Sequence, residues 1–284
     1  MDNPTILIIG AGGMLGRAVR QALAARGTAF RAPPRSELDL LRPESVRAHL
    51  GGISTVINCA AWTDVDGAEA NEAAATALNG TGVGELAALC RGTGARLVHY
   101  STDYVFAGNG TAPYRIDAQL APLNAYGRSK AAGEQAITAE INRGLDALVL
   151  RTSWLYAPWA KNFVRTIAGA AKTRPTLRVV NDQRGRPTSA EHLADVTLRL
   201  LATPARGVLH ATDGGEATWF DFATRIAAFA SPACRVEPCT TAEFPRPAVR
   251  PAYSVLDLGP TEQLIGPMTD WRTNLDSVLS RLEP

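Results

Sequence analysis

No run of about 20 apolar residues occurs in this 284-residue sequence, which excludes a membrane-spanning helix. Charge of one sign is nowhere concentrated. The 29 basic and 27 acidic residues give a net charge of +2 without a polybasic block, so neither nucleic acid nor a membrane surface is expected as a partner. The opening Met-Asp-Asn-Pro leads straight into a short strand-like segment and lacks the pattern of a secretion signal, so a cytoplasmic location is expected. Four cysteines (Cys59, Cys90, Cys234, Cys239) and four histidines (His49, His99, His192, His210) are too dispersed for a disulfide framework or a four-ligand zinc pattern. Reduced thiols and no metal are the expectation. Lysine is scarce: only Lys130, Lys161 and Lys172 stand among many arginines, so a lysine inside a motif carries weight.

What is present is a core. With 46% apolar residues the chain can fill one large domain or two unequal ones. Short β-branched runs, "TILIIG", "TAF", "STVINCAAW" and "ARLVHYS", alternate with helix-like stretches such as "LGRAVRQALAARG". That rhythm predicts an α/β fold, a Rossmann-type doubly wound parallel sheet buried on both faces. After "ALVLRTSWLY" prolines recur and the rhythm loosens, which predicts a smaller, discontinuous C-terminal lobe. The expected division is a nucleotide-binding domain over 1–152, rejoined by about 188–214, with about 153–187 and 215–284 forming mainly the substrate lobe. Within 188–214, "SAEHLADVTLRLLATP" reads as an amphipathic helix and "GVLHATDG" as a buried strand.

"TILIIGAGGMLGRAV" is a strand, a glycine-rich turn and a helix start. Gly10, Gly13 and Gly16 are spaced G-x-x-G-x-x-G, with Met14 and Leu15 inside the motif. A turn without side chains lets backbone approach a pyrophosphate, and the helix N-terminus favours its charge. At the end of the second strand an acid would favour NADH, but "TAFRAPPRSELDL" offers Arg31 and Arg35 first. An arginine fork suits a 2′-phosphate, so NADPH is expected, with NADH as the alternative.

Tyr126 and Lys130, in "YGRSK", are four residues apart and share one helix face. A phenol with a pKa of about 10 is a poor acid at neutral pH, and a neighbouring ammonium is expected to lower it, making a tuned general acid. Upstream, "ARLVHYS" would carry Ser101, Thr102 and Asp103 to the carboxyl end of a strand, where doubly wound sheets bind ligands. Thr102 is the hydroxyl expected to hold a carbonyl oxygen beside Tyr126, with Ser101 packed behind. The three groups describe carbonyl reduction.

With these pieces and "SELDL", "NCAAWTDVDGAE", "STDYVFAG", "PLNAYGRSKAAGEQ", "LRTSWLY", "KNFV", "NDQRGRPTSAEHLAD" and "RPAYSVLD" in order, the chain resembles the extended short-chain dehydrogenase/reductases and, within them, the dTDP-4-dehydrorhamnose reductase family. The resemblance implies that Asp39 and Leu40 lie near the adenine, that Ala60 and Ala61 line the cofactor path, and that Thr102, Tyr126 and Lys130 are catalytic. It implies substrate contacts from Asp103, Trp154, Asn162 and Arg186, and a nucleotide-sugar substrate reduced at its C4 ketone with Tyr126 as proton donor. Some members hold magnesium through a glutamate just after the glycine turn; Ala18 stands there, so no metal is expected, and the chain is expected as a monomer or homodimer.

The alternatives are a reductase or epimerase acting on another 4-keto-6-deoxysugar nucleotide, and a non-catalytic nucleotide-binding regulatory subunit. A dehydratase is disfavoured because Tyr104, not glutamate, follows Asp103.

Overall fold

A computed structural model describes residues 5–282. Met1–Pro4, from which the lack of a secretion signal was read, and residues 283–284 of the second lobe lie outside them. The strands are β1 (Thr5–Ile9), β2 (Phe30–Arg31), β3 (Ile53–Asn58), β4 (Arg96–Thr102), β5 (Ala147–Thr152), β6 (Leu155–Tyr156), β7 (Thr176–Val180), β8 (Arg184–Gly185), β9 (Thr188–Ser189), β10 (Gly207–His210), β11 (Ala217–Thr218) and β12 (Arg235–Cys239). The helices are α1 (Met14–Ala25), α2 (Pro43–His49), α3 (Val65–Ala70), α4 (Glu72–Thr76), α5 (Gly82–Thr93), α6 (Ala125–Ile141), α7 (Phe163–Thr173), α8 (Ala190–Leu201), α9 (Trp219–Ala230), α10 (Gly259–Ile265) and α11 (Trp271–Leu279).

Six strands form one parallel sheet in the order β10-β5-β4-β3-β1-β2. The order reverses between β1 and β3, which opens the crevice at their carboxyl ends where such sheets take ligands. Alternation along β1 sends Ile6 and Ile8 into one apolar layer with α1 and α8, and Leu7 and Ile9 into the other with α2, α5 and α6. A strand covered on both faces needs apolar residues at its buried positions, which is why "ILII", Ile6 to Ile9, is unbroken. β2 is only two residues long, and it begins at the last residue of the "TAF" run that anticipated it.

β10 pairs with β5, and α8 packs on α1 through Leu193, Ala194 and Val196, so the stretch from α8 to β10 belongs to the sheet body. A second core gathers Tyr156, Val164, Ile167, Phe222, Ile226, Trp271 and Leu275, with the pair β7–β12 beside it. α10 contacts α8 and β10, so part of the tail also lies against the sheet body.

Two glycines make the first turn. Gly10 adopts φ +74°, and a Cβ there would stand 2.6 Å from the Ala60 nitrogen; a Cβ on Gly16 would overlap the Gly10 carbonyl oxygen. Side chains are excluded at both for steric reasons alone. Gly16→Ala is expected to lower stability by about 1–3 kcal/mol through overpacking and to weaken NADPH binding as the turn shifts; equilibrium denaturation and cofactor titration read both, and a variant matching wild type in both would remove this account of the turn.

Candidate active site

α6 begins at Asn124, whose Oδ1 accepts from the Gly127 amide at 2.8 Å and whose Nδ2 donates to the Val249 carbonyl at 2.8 Å. Gly127 follows Tyr126 because a Cβ there would overlap the Tyr104 carbonyl oxygen. This packing sets Tyr126, in the first turn of α6, against the turn after β4. The Tyr126 ring meets Tyr104 edge-on, with centroids 6.1 Å apart. Thr102 ends β4; its hydroxyl donates to Asp103 Oδ1 at 3.0 Å and accepts from the Tyr104 amide at 3.2 Å.

Lys130, one turn beyond Tyr126, is buried. Its Nζ donates to the Tyr100 carbonyl at 2.6 Å and lies 3.1 Å from His99 Nε2. Burial pulls the ammonium down to about 8, against the opposing charge of Glu134. The net direction expected for the Tyr126 phenol is corrected here. Burial, reinforced by the Asp103 charge, pushes the phenol up to about 12 despite a hydrogen bond with Thr102. The lysine is turned toward β4, and the tyrosine keeps its proton throughout the neutral range. Burial also pushes Asp103 up to about 7, against hydrogen bonds from Ser254 and Thr102.

These groups open on a cavity of about 540 Å³. Of the residues singled out in the sequence, Gly13, Met14, Leu15, Ala61, Thr102, Asp103, Tyr126, Lys130, Trp154 and Asn162 line it. Gly10 and Gly16 stand behind it as supports of the turn. Ala60 is outside the lining, its amide donating to Asn58 Oδ1 at 3.0 Å. Leu40 is buried in the apolar layer under α5. Beyond β2, Arg35 is exposed and lies 3.5 Å from Asp39 Oδ2, while Asp39 Oδ1 accepts from the Leu41 amide. Arg31 donates to the Gly51 carbonyl at 3.2 Å.

Two residues expected to contact substrate are engaged by the protein itself. The Asn162 amide lines the cavity, yet it caps α7 by accepting from the Arg165 amide and donating to the Ala157 carbonyl at 2.8 Å. Arg186 is not in the cavity wall: its Nη1 donates to the Gly215 carbonyl at 2.8 Å, and its buried Nε has no hydrogen-bond partner among the described residues. Trp154 adopts φ +47°, a left-handed conformation unusual for a bulky residue. Its ring stacks on Trp219 at 3.6 Å, and a Cβ on Gly185 would stand 2.7 Å from it, so Gly185 provides the room.

Trp219 and Arg250 were missed in the sequence. They line this cavity and, with Tyr104, a neighbouring one of about 720 Å³ that also holds Phe163, Arg174, Arg178 and Arg246. The available signal for Trp219 was the Thr218–Asp221 capping box, which puts it at the first position of α9. Arg250 Nη1 and Arg246 Nη2 both donate to the Asp66 carboxylate, at 2.9 and 2.6 Å. A wider opening of about 1000 Å³, between Arg17, Trp159 and Arg281, holds none of the catalytic candidates. Among the described residues no group of three His, Cys, Asp or Glu side chains could hold a metal ion, and no helix is long and apolar enough to cross a membrane.

Comparison with known proteins adds four findings. Residues 4–283 match the family described as the RmlD substrate binding domain. A Streptomyces antibioticus protein named as a probable dTDP-4,6-dihydroxy-2-methyloxan-3-one 4-ketoreductase is 44% identical, over 95% of this chain and 92% of its own. The dTDP-4-dehydrorhamnose reductase of Streptomyces griseus is 41% identical, over 96% and 92%. Among solved structures, dTDP-4-dehydrorhamnose reductase from Bacillus anthracis in complex with NADP superposes with a TM-score of 0.92 at 33% identity, covering 98% of this chain and 99% of that one.

Proposed function

This chain belongs to the dTDP-4-dehydrorhamnose reductase family of extended short-chain dehydrogenase/reductases, and from that premise we propose that it reduces the C4 ketone of dTDP-4-dehydro-L-rhamnose to the alcohol of dTDP-L-rhamnose. The observation that carries this is one cavity holding Thr102, Tyr126 and Lys130 beside the glycine turn, with a second, arginine- and aromatic-lined cavity sharing Tyr104, Trp219 and Arg250 with it. The first fits a keto sugar; the second fits a diphosphate and a base.

The residues at the turn fit a dinucleotide. Gly13, Met14 and Leu15 present the N-terminus of α1 to the cavity, and that first turn carries no acidic residue to repel a pyrophosphate. The exposed Arg35 is the group that would meet a 2′-phosphate, which favours NADPH, as does the NADP in the Bacillus anthracis relative. NADPH supplies the hydride that reaches C4. The chain supplies the rest: the Thr102 hydroxyl holds the carbonyl oxygen, Tyr126 donates its proton to that oxygen as the C–O bond becomes single, and the Lys130 ammonium favours the phenolate left behind. The sheet body holds the cofactor, and the second core presents Trp154 and Trp219 to the substrate.

A specific observation favours a second reading. The 44% identical relative is named for the reduction of a different ketosugar, so another 4-keto-6-deoxysugar nucleotide is the alternative substrate. The test follows loss of NADPH absorbance with each nucleotide sugar, with NADH in parallel and with and without a chelator. Saturable oxidation with dTDP-4-dehydro-L-rhamnose, faster with NADPH and indifferent to chelation, is expected. Oxidation with only another ketosugar would select the second reading. No oxidation with any of them, while NADPH binds, would overturn both and leave a nucleotide-binding subunit.

A further inference from the structure

Three buried polar side chains stand in line behind the substrate cavity: Asn58 at the end of β3, His99 on β4 and Lys130 on α6. The line starts from backbone. The Ala60 amide donates to Asn58 Oδ1 at 3.0 Å, and since a backbone N–H only donates, the Asn58 amide has one allowed orientation. Its Nδ2 therefore faces His99 Nδ1, 3.1 Å away. An amide NH₂ offers only hydrogens, so His99 Nδ1 must be bare and accept.

Burial, followed by the Lys130 charge, holds His99 well below the usual histidine range, so the ring is neutral near pH 7. A neutral imidazole with Nδ1 bare carries its proton on Nε2, and Nε2 faces Lys130 Nζ at 3.1 Å. An ammonium has three hydrogens and no lone pair. Opposite an N–H it meets donor with donor, whereas a neutral amine accepts from Nε2–H while still donating to the Tyr100 carbonyl.

The structure assigns His99 the role of a positioning residue that acts through Lys130: with its tautomer fixed by Asn58, its Nε2–H favours the neutral amine and so limits the pH range over which the lysine is charged beside Tyr126. This rests on the proposed reductase reading for its catalytic consequence, but not for its chemistry. Cys59, Tyr100, Asp103 and Tyr126 line the same cavity as Lys130, and Glu134, one turn further along α6, acts on it by its charge and is itself paired with Arg151 of β5. Glu134 favours the ammonium, but its carboxylate also takes two hydrogen bonds from the Arg151 Nε and one from Nη2, which leaves His99 as the neighbour that favours the amine by a direct hydrogen bond.

The sign of the consequence follows. A charged Lys130 favours the phenolate that Tyr126 becomes after donating its proton, so turnover declines as pH rises through the titration of the lysine. His99→Gln can turn an amide oxygen to Nζ, which favours the ammonium. The alkaline decline and the lysine titration should both move up by about one pH unit.

With only four histidines and three lysines in the chain, isotope-labelled whole protein resolves each of them by NMR. The unsubstituted protein should show His99 as the Nε2–H tautomer; an Nδ1–H tautomer overturns the proposal, and this measurement needs neither a variant nor a substrate. In His99→Gln the Lys130 resonance should titrate about one pH unit higher than in wild type; an unmoved titration overturns it as well. If both results are as expected and no ketosugar nucleotide oxidises NADPH, the reductase reading alone fails and the assignment of His99 stands.

Discussion

Tyr126→Phe should reduce turnover by at least about 10²-fold while leaving NADPH affinity within a few-fold of wild type. The substitution removes one oxygen. The ring remains to meet Tyr104 edge-on, and the start of α6 is still capped by Asn124, so the cavity keeps its shape. On the proposed mechanism what is lost is the proton source: with the phenol pushed up to about 12, mainly by burial, the wild-type group is fully protonated at neutral pH and has a proton to give. The same burial limits how readily the phenolate forms, and on the proposed mechanism a charged Lys130 one turn along the helix would offset that limit. Single-turnover oxidation of bound NADPH separates the chemical step from product release, and a direct titration measures cofactor affinity. A variant whose chemical step stays within a few-fold of wild type would show that Tyr126 is not the acid, and Asp103, pushed up to about 7 beside it, would be the next group to examine.

How far this site was legible in the sequence depends on how local each signal is. The glycine turn is determined by a strand, a sterically forced turn and a helix within a dozen residues, and it could be read directly. The Tyr126–Lys130 pair is one helical turn and needs only the 3.6-residue period. The apolar run Ile6–Ile9 of β1 announced a sheet covered on both faces. Asn162 carried a local signal that points away from a ligand: an asparagine just before the apolar start of α7 is a helix cap, and its amide is engaged there.

What was not legible is tertiary. Trp219 and Arg250 reach the cavity from segments more than 90 residues beyond Tyr126, and no spacing rule connects them to it. Trp154 stacks on Trp219 only because Gly185 leaves room for its ring. Lys130 on α6 turns to His99 of β4, which in turn meets Asn58 of β3, and no local pattern links these three positions. For the same reason the expected effect of the lysine on the tyrosine was read too simply: proximity along a helix fixes which face two groups share, not which partner each one chooses.

The largest effect on stability should come from a residue with no part in the chemistry. Arg151 on β5 and Glu134 on α6 are 5% and 3% exposed at their side chains and form a forked pair, Nη2 to Oε2 at 2.7 Å and Nε to Oε1 at 3.0 Å. Arg151 Nη1 also donates to the Ile116 carbonyl at 2.9 Å, and the guanidinium lies 4.9 Å over the Phe106 ring. Arg151→Met keeps much of the volume but leaves the Glu134 carboxylate buried without a counter-charge, which should lower stability by about 3–5 kcal/mol. For a chain of this size that corresponds to a fall in melting temperature of roughly 6–20 °C. Replacing both partners with Arg151→Met and Glu134→Leu should restore much of the loss, because a matched apolar pair leaves no charge behind. A single variant that melts with wild type at neutral pH would show that water reaches the pair. Because Glu134 is one turn beyond Lys130, the fork also holds the catalytic face of α6 against the sheet, so the single variant should lose turnover even below its melting temperature, and the double variant should lose less.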